Sequence, residues 1–132
     1  LRVTSKKLTG NPRAGVGIPR AHRLRHSRDL ARVRTHGRSW ANHWLVLIAL
    51  PNALNRVRVG VIASRRVGGA VVRVRARRLI REAVRPWINR ISGSWDLVFI
   101  ARSALVDASF HEVTRAVAQL LKRANLVSGT ES

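Results

Sequence analysis

Residues 65–85 most constrain what this chain can build. They run Arg65-Arg66-Val-Gly-Gly-Ala-Val-Val-Arg73-Val-Arg75-Ala-Arg77-Arg78-Leu-Ile-Arg81-Glu82-Ala-Val-Arg85, eight arginines against one acid. At about 100° per residue, Val72, Ala76, Leu79, Ile80 and Ala83 gather on one side of a helix. Arg75, Arg78, Arg81 and Arg85 project from the other, with Arg73 and Arg77 at the boundary. One face can therefore pack on a core, while the other carries a dense row of guanidinium forks. With no acids nearby to neutralise it, that row repels itself unless a polyanion covers it. Nucleic acid is the natural polyanion.

The whole chain shares the bias: 26 Lys+Arg against 6 Asp+Glu, a formal net charge of +20, with arginine outnumbering lysine 23 to 3. A guanidinium grips phosphate with two parallel hydrogen bonds and stacks on bases, which lysine cannot do. A GC-rich genome explains arginine in place of lysine, but not the deficit of acids. At 132 residues the chain is one domain, and 45% hydrophobic residues exclude a wholly disordered basic tail. The absence of cysteine excludes disulfides, thiolate metal sites and thiol catalysis, and is compatible with the expected cytoplasmic location. No apolar run approaches the ~20 residues that span a bilayer, and the N-terminal segment lacks the apolar core of a signal peptide.

Residues 1–19, basic and carrying Gly10, Pro12, Gly15, Gly17 and Pro19, read as a flexible arm. Residues 20–125 read as the folded domain and 126–132 as a disordered tail. Ser27 is placed to cap a helix running to His36, with Leu30 and Val33 inward and Gly37 as the stop. Strands are expected over Trp44–Leu50 and Val57–Ala63, pairing antiparallel, with a weaker third strand near Ser39–His43. The loop Ser64–Gly69 leads into the arginine helix over Ala70–Arg85, which Pro86 ends. A strand at Trp95–Ala101 follows. Ser109-Phe-His-Glu112 has capping-box spacing and opens a last helix to about Ala124, with Phe110, Val113, Val117, Leu120 and Leu121 as its stripe. The order is α-β-β-β-α-β-α.

Catalytic chemistry is missing. Six scattered acids offer no carboxylate pair and no two-metal site. Asp29 and Glu82 sit among arginines and read as ion-pair partners. His22 and His26 share a zinc-ligand spacing but have no third ligand at a sensible distance, and suit phosphate contacts better. Gly68-Gly69 lacks the rest of a phosphate-loop motif. Trp87, Trp95, Phe99 and Phe110 are assigned to the core, and Trp44 is left between core and surface. No aromatic-rich RNA-binding strand motif is present.

The stretch Arg58-Val-Gly-Val-Ile-Ala-Ser64-Arg-Arg-Val-Gly-Gly-Ala70-Val-Val-Arg73-Val-Arg75-Ala-Arg77-Arg78-Leu-Ile-Arg81-Glu82 closely resembles the protein subunit of bacterial ribonuclease P. That family has a strand ending in Ser, two basic residues, Gly-Asn-Ala, then an Arg-Asn-Arg helix. Arg23-Leu24, Asp29-Leu30-Ala-Arg-Val33 and His36-Gly37 look like its first helix, and Asp96-Leu-Val-Phe-Ile-Ala-Arg102 like its last strand. The resemblance runs from about residue 20 to 125. It implies an α+β domain, a small mixed sheet packed with helices, whose left-handed strand–helix–strand crossover carries the arginine helix. It also implies a subunit that binds a large catalytic RNA and the single-stranded 5′ leader of precursor tRNA. The RNA, with Mg2+, then performs the hydrolysis. Neither a membrane nor protein oligomerisation is required.

By that resemblance Arg65, Arg66, Arg73, Arg75, Arg77, Arg78 and Arg81, continued by Arg85, face the catalytic RNA. Leu30, Arg34 and Ile48 fall where members place two aromatics and a tyrosine in the leader cleft, and Trp44 is the ring available to replace them. Val74 stands for the central Asn of Arg-Asn-Arg, and Gly69 for the Asn before Ala70. Three other readings compete: a ribosomal or other structured-RNA-binding protein, a cationic membrane-surface protein, and a divergent inactive member of the family. The ordered match disfavours the first, and small residues on the helix's apolar face disfavour the second.

Overall fold

The structure is a computed structural model and describes residues 17–128. In chain order its elements are α1 (Ser27–His36), β1 (Arg38–Ala41), β2 (Leu45–Pro51), β3 (Arg58–Ile62), α2 (Ala70–Val84), β4 (Trp95–Ala101) and α3 (Phe110–Arg123), with short 3-10 turns at Arg20–His22, Arg85–Arg90 and Ser103–Asp107. The expected order of helices and strands holds.

Strands β2 and β4 are apolar on both faces, so both need cover above and below and a neighbour on either side. They occupy the middle of a four-stranded sheet of order β1-β2-β4-β3. The expected antiparallel pairing of β2 with β3 is therefore wrong. β4 lies between them, antiparallel to β2 (Ile48 opposite Val98) and parallel to β3 (Gly60 opposite Val98). The expectation rested on adjacency in sequence. Helix α2 instead carries the chain over the sheet and returns it parallel to β3, the usual way to join parallel neighbours. The weak third strand is real: β1 pairs antiparallel with β2.

Alternation along the strands sorts side chains into two cores. Leu45, Leu47, Leu97 and Phe99 face α2 and α3, where Ala76, Ile80, Ala83, Val113, Val117, Leu120 and Leu121 complete the main core. Ile48 and Val98 face the other way, joining Leu24 and Val33 beneath α1, with Leu30, Val46, Ile62 and Ile100 partly buried around them. The result is three layers with the sheet in the centre.

Several local readings change. The residue before α1 is His26, and no side chain caps this helix, so Ser27 is its first residue and not its cap. Gly37 does stop α1, through close approach: an added Cβ would lie 2.7 Å from Ile48 Cγ2 and from the Val33 carbonyl oxygen. The capping box of α3 forms, with Ser109 Oγ accepting from the Glu112 amide at 3.1 Å and Glu112 Oε1 from the Ser109 amide at 2.9 Å. Phe110, on the first turn of that helix, is 45% exposed and not core, while Trp87 and Trp95 are only partly buried against the main core. Ile18, Leu126 and Val127 are buried, so packed structure reaches beyond residues 20–125 at both ends. The remainder of the arm and residues 129–132 lie outside the described residues.

Candidate nucleic-acid interface

Helix α2 sits on the main core through Ala76, Ile80, Ala83 and Val84. This fixes its other face outward. Arg75, Arg78, Arg81 and Arg85 are exposed, and Arg73 and Arg77 are half-buried at the boundary. The preceding turn adds exposed Arg65 and Arg66, held by buried Val67, whose amide donates to the Ser64 carbonyl at 3.0 Å. Gly68 is required there, having φ +152° and a Cβ position 2.8 Å from Val72 Cγ1. Arg73 reaches back to donate to the Gly68 carbonyl at 3.0 Å, locking turn to helix.

Two family positions take on a physical meaning. Gly69 precedes α2 with φ −72° and open space around it, and it leaves the helix without a side-chain cap. Val74 is 46% exposed and Val71 is 83% exposed, three residues apart on the outer surface. Neither departure disturbs the core.

Among the described residues, ion pairs join only Arg32 and Arg58 to Asp29 and Asp96, and all eight predicted RNA-facing arginines are left without a counter-ion. Asp29 thus fills its expected role, at 3.7 Å from Arg32 and 3.6 Å from Arg58. Glu82 does not. It is half-buried without an ion pair, and burial raises its pKa against the opposing pull of Arg78. Arg81 is lowered, first by burial and then by repulsion from Arg77, Arg23, Arg78 and Arg25. That repulsion follows from cations crowded together without acids among them.

The seam between α1 and the sheet brings together two of the four predicted leader-site residues. Leu30 packs in the same apolar cluster as Ile48, over Gly60, where an added Cβ would lie 2.6 Å from Leu30 Cδ2. Arg34 is exposed one turn beyond Leu30. Trp44 does not join them. It is partly buried against the main core, edge-on to His43 at 5.0 Å between ring centroids. The apolar cluster of the seam is wholly aliphatic.

Sequence reasoning missed what fixes this seam. Asp96 on β4 is fully buried, with Oδ1 accepting from Arg58 Nε at 2.9 Å and Asn52 Nδ2 at 2.8 Å. Its Oδ2 accepts from Arg58 Nη2 at 2.9 Å and Arg32 Nη2 at 2.7 Å. One carboxylate therefore ties α1, β3 and the loop after β2 to the central strand. Burial raises its pKa, but the hydrogen bonds from Arg58, Asn52 and Arg32 outweigh burial and hold it below the usual carboxylate range. The signal available was an acid in an otherwise apolar strand, which demands buried partners. His22 is also committed, its Nδ1 donating to the Val57 carbonyl at 2.7 Å, and no group of three potential metal ligands occurs among the described residues.

A sheet between one helix and a helical pair, bordered by an unneutralised arginine surface, defines a small α+β protein of the nucleic-acid-binding class. Residues 18–125 match the family model described as Ribonuclease P, and the chain belongs to the ribonuclease P protein component family. The component from Roseiflexus castenholzii is 47% identical over 116 residues, covering 87% of this chain and 95% of that protein. The component from Herpetosiphon aurantiacus is 41% identical over 109 residues, covering 83% and 89% respectively. The solved Staphylococcus aureus RNase P protein superposes with a TM-score of 0.75 at 27% identity, covering 83% of this chain and 100% of that one. The Thermotoga maritima protein gives 0.69 at 30%, covering 76% and 96%. Membership carries RNA binding and tRNA processing. No helix among the described residues is long and apolar enough to cross a membrane.

Proposed function

We propose that this chain is the non-catalytic protein subunit of a cytoplasmic ribonucleoprotein endoribonuclease that removes the 5′ leader of precursor tRNA. The observation that carries the reading is the run of arginines from Arg65 to Arg85, held outward by α2 and lacking counter-ions on a fold of this family. Arg65, Arg66, Arg73, Arg75, Arg77, Arg78, Arg81 and Arg85 bind the catalytic RNA. Their charge replaces condensed counterions, so the complex holds together at lower Mg2+. The hydrolysis belongs to the RNA and its Mg2+. The α1 seam, with Leu30, Arg34 and Ile48, takes the leader. Its cluster is wholly aliphatic, and this supports a leader affinity that comes from charge at Arg34 and the leader's phosphates rather than from stacking.

The test is cleavage of a precursor tRNA by a bacterial ribonuclease P RNA at low Mg2+, with and without the protein. Protein-dependent appearance of the mature 5′ end is expected. Tight RNA binding with no stimulation would instead assign the chain to structured-RNA binding without a nuclease role.

A further inference from the structure

The sheet edge away from α2 carries a second group of cations, none of them in the arginine row or the α1 seam. β1 and β3 are the two outer strands, and α2 lies over β3 and β4 whereas α3 lies over β1 and β2. The turn that joins β1 to β2 is held by side chains as well as by the strands it connects. Asn42 Oδ1 accepts from the Trp44 amide at 3.1 Å and the Leu45 amide at 3.0 Å. Its Nδ2 donates to the Ala116 carbonyl at 3.1 Å and to Gln119 Oε1 at 2.8 Å, which ties the turn to α3.

Two guanidiniums close on this turn from elements far apart in sequence. Arg102, just after β4, donates from Nη1 to the Asn42 carbonyl at 2.8 Å. Arg123, at the end of α3, donates from Nη1 to the Ala41 carbonyl at 2.8 Å. Both residues are exposed, and each keeps the rest of its fork. Arg38, at the start of β1, is held as well, with Cζ 5.3 Å from the centroid of the Trp40 ring. A strand rise of ~3.3 Å per residue puts Arg38 roughly 10 Å from Ala41. His43, exposed in the turn itself, adds another donor. Arg38, Arg102 and Arg123 join no ion pair among the described residues. Their positions are fixed before any ligand arrives, so little side-chain entropy is left to lose on binding.

The edge discriminates among partners. A strand of another protein fits poorly, because β1 is only four residues long and Arg123 already occupies the Ala41 carbonyl. An apolar protein contact has no anchor: the exposed large hydrophobic residues among those described, Leu54, Val71, Val74 and Phe110, all lie outside β1, its turn and the end of α3. Single-stranded RNA finds no open ring, since Trp40 is covered by Arg38 and Trp44 packs on the main core, edge-on to His43. A row of fixed guanidiniums without stacking partners suits the regular phosphates of an RNA helix, which proteins recognise by shape and backbone.

We propose that the β1 edge and its turn are a second RNA-binding surface, which grips the phosphate backbone of an RNA helix through Arg38, Arg102, Arg123 and His43. With the α2 row at the other side of the sheet, the chain bridges two RNA segments. That the segment on α2 is ribonuclease P RNA rests on the function proposed above, whereas the β1 surface does not depend on it.

The test is titration of the full chain with a short blunt-ended RNA duplex, followed by amide and arginine side-chain chemical shifts and by affinity across a salt series. Movement of the Asn42 and His43 amides and of the Arg102 and Arg123 side chains is expected, separate from any movement on α2. The double variant Arg102→Ala, Arg123→Ala should lower the slope of log affinity against log salt by about 2. His43→Glu leaves both anchoring hydrogen bonds in place, so it keeps the fold even if the double variant does not, and it should weaken the duplex about threefold. Immobilised ribonuclease P RNA carrying the chain should capture the duplex, and carrying the His43→Glu variant should capture less. Shifts confined to α2 and the α1 seam would overturn the proposal, as would a salt slope unchanged in a folded double variant. A hexaglutamate peptide binding the turn as tightly as the duplex would also overturn it, and assign the edge to an acidic protein.

Discussion

Asp96→Ala removes the acceptor at the centre of the α1 seam. Four hydrogen bonds of 2.7–2.9 Å converge on this fully buried carboxylate. Arg58 makes two of the four, and its side chain is 16% exposed. Alanine leaves that guanidinium without its counter-charge, and breaking a buried pair from one side costs about 3–5 kcal/mol. Arg32, 38% exposed, adds little, because water takes over its hydrogen bonds. At roughly 3–5 °C per kcal/mol for a domain of this size, Tm falls by about 10–20 °C. Asp96→Asn keeps the shape but loses the charge, and should fall between the two. The pH dependence has a definite sign. The folded carboxyl lies below its unfolded value, so its stabilisation is complete above the unfolded value near ~4 and is lost as pH falls through the folded one. Urea unfolding followed by tryptophan fluorescence, from neutral pH to about 2.5, therefore has to show the gap between wild type and Asp96→Asn shrinking below pH ~4. An Asp96→Ala variant within ~1 kcal/mol of wild type, or a gap that stays constant to pH ~3, would refute the reasoning.

On the proposed function, Arg77→Ala weakens binding to the ribonuclease P RNA and lowers the slope of log affinity against log salt by about 1, as loss of one phosphate contact should; filter binding across a salt series measures it. Arg34→Ala weakens precursor tRNA binding more than mature tRNA binding, and equal losses would remove Arg34 from the leader site. Val74→Asn restores a polar group on the exposed face of α2 at nearly equal helix propensity. It should leave Tm unchanged and tighten RNA binding about threefold, one modest hydrogen bond's worth. An unchanged RNA affinity with an unchanged Tm would show that this position faces no RNA.

Local signals were legible and non-local ones were not. The apolar stripe of α2 and the capping box of α3 depend on residues three or four apart; the box formed where the spacing placed it, and the stripe did so at Ala76, Ile80 and Ala83, with Val84 buried and Leu79 only half-buried. The strand at Trp95–Ala101 was bounded by Gly93 and Ser94 and needed no partner to be seen. Its position between β2 and β3 could not be read, because pairing depends on which neighbour buries both faces of β4, and adjacency in sequence pointed to the wrong one. Phe110 was misplaced for a related reason: hydrophobicity marks a stripe but not whether each of its residues meets a partner, and Phe110 on the first turn of α3 is exposed. At the interface, the arginine face followed from the helical wheel, and the seam only in part. Leu30 and Ile48 come together because α1 packs on β2, with Arg34 exposed on the same helix, while Trp44 precedes the strand and turns to the main core.

The family departures fall where the fold does not depend on them, and this bears on what they mean. Gly69 has room for a side chain at an ordinary φ, and Val74 lies outside both cores, so neither was selected by packing. Leu30 and Ile48, by contrast, are packed into the seam against Gly60 and Gly37. Aliphatic side chains there offer no ring for a base to stack on, and on the proposed function the leader contact falls to the guanidinium of Arg34. Charge acts over several ångströms and tolerates any base, whereas stacking demands contact with a ring. A leader site built this way gains affinity from the phosphates and loses discrimination between bases. Its binding therefore depends more steeply on salt than that of a seam lined with rings.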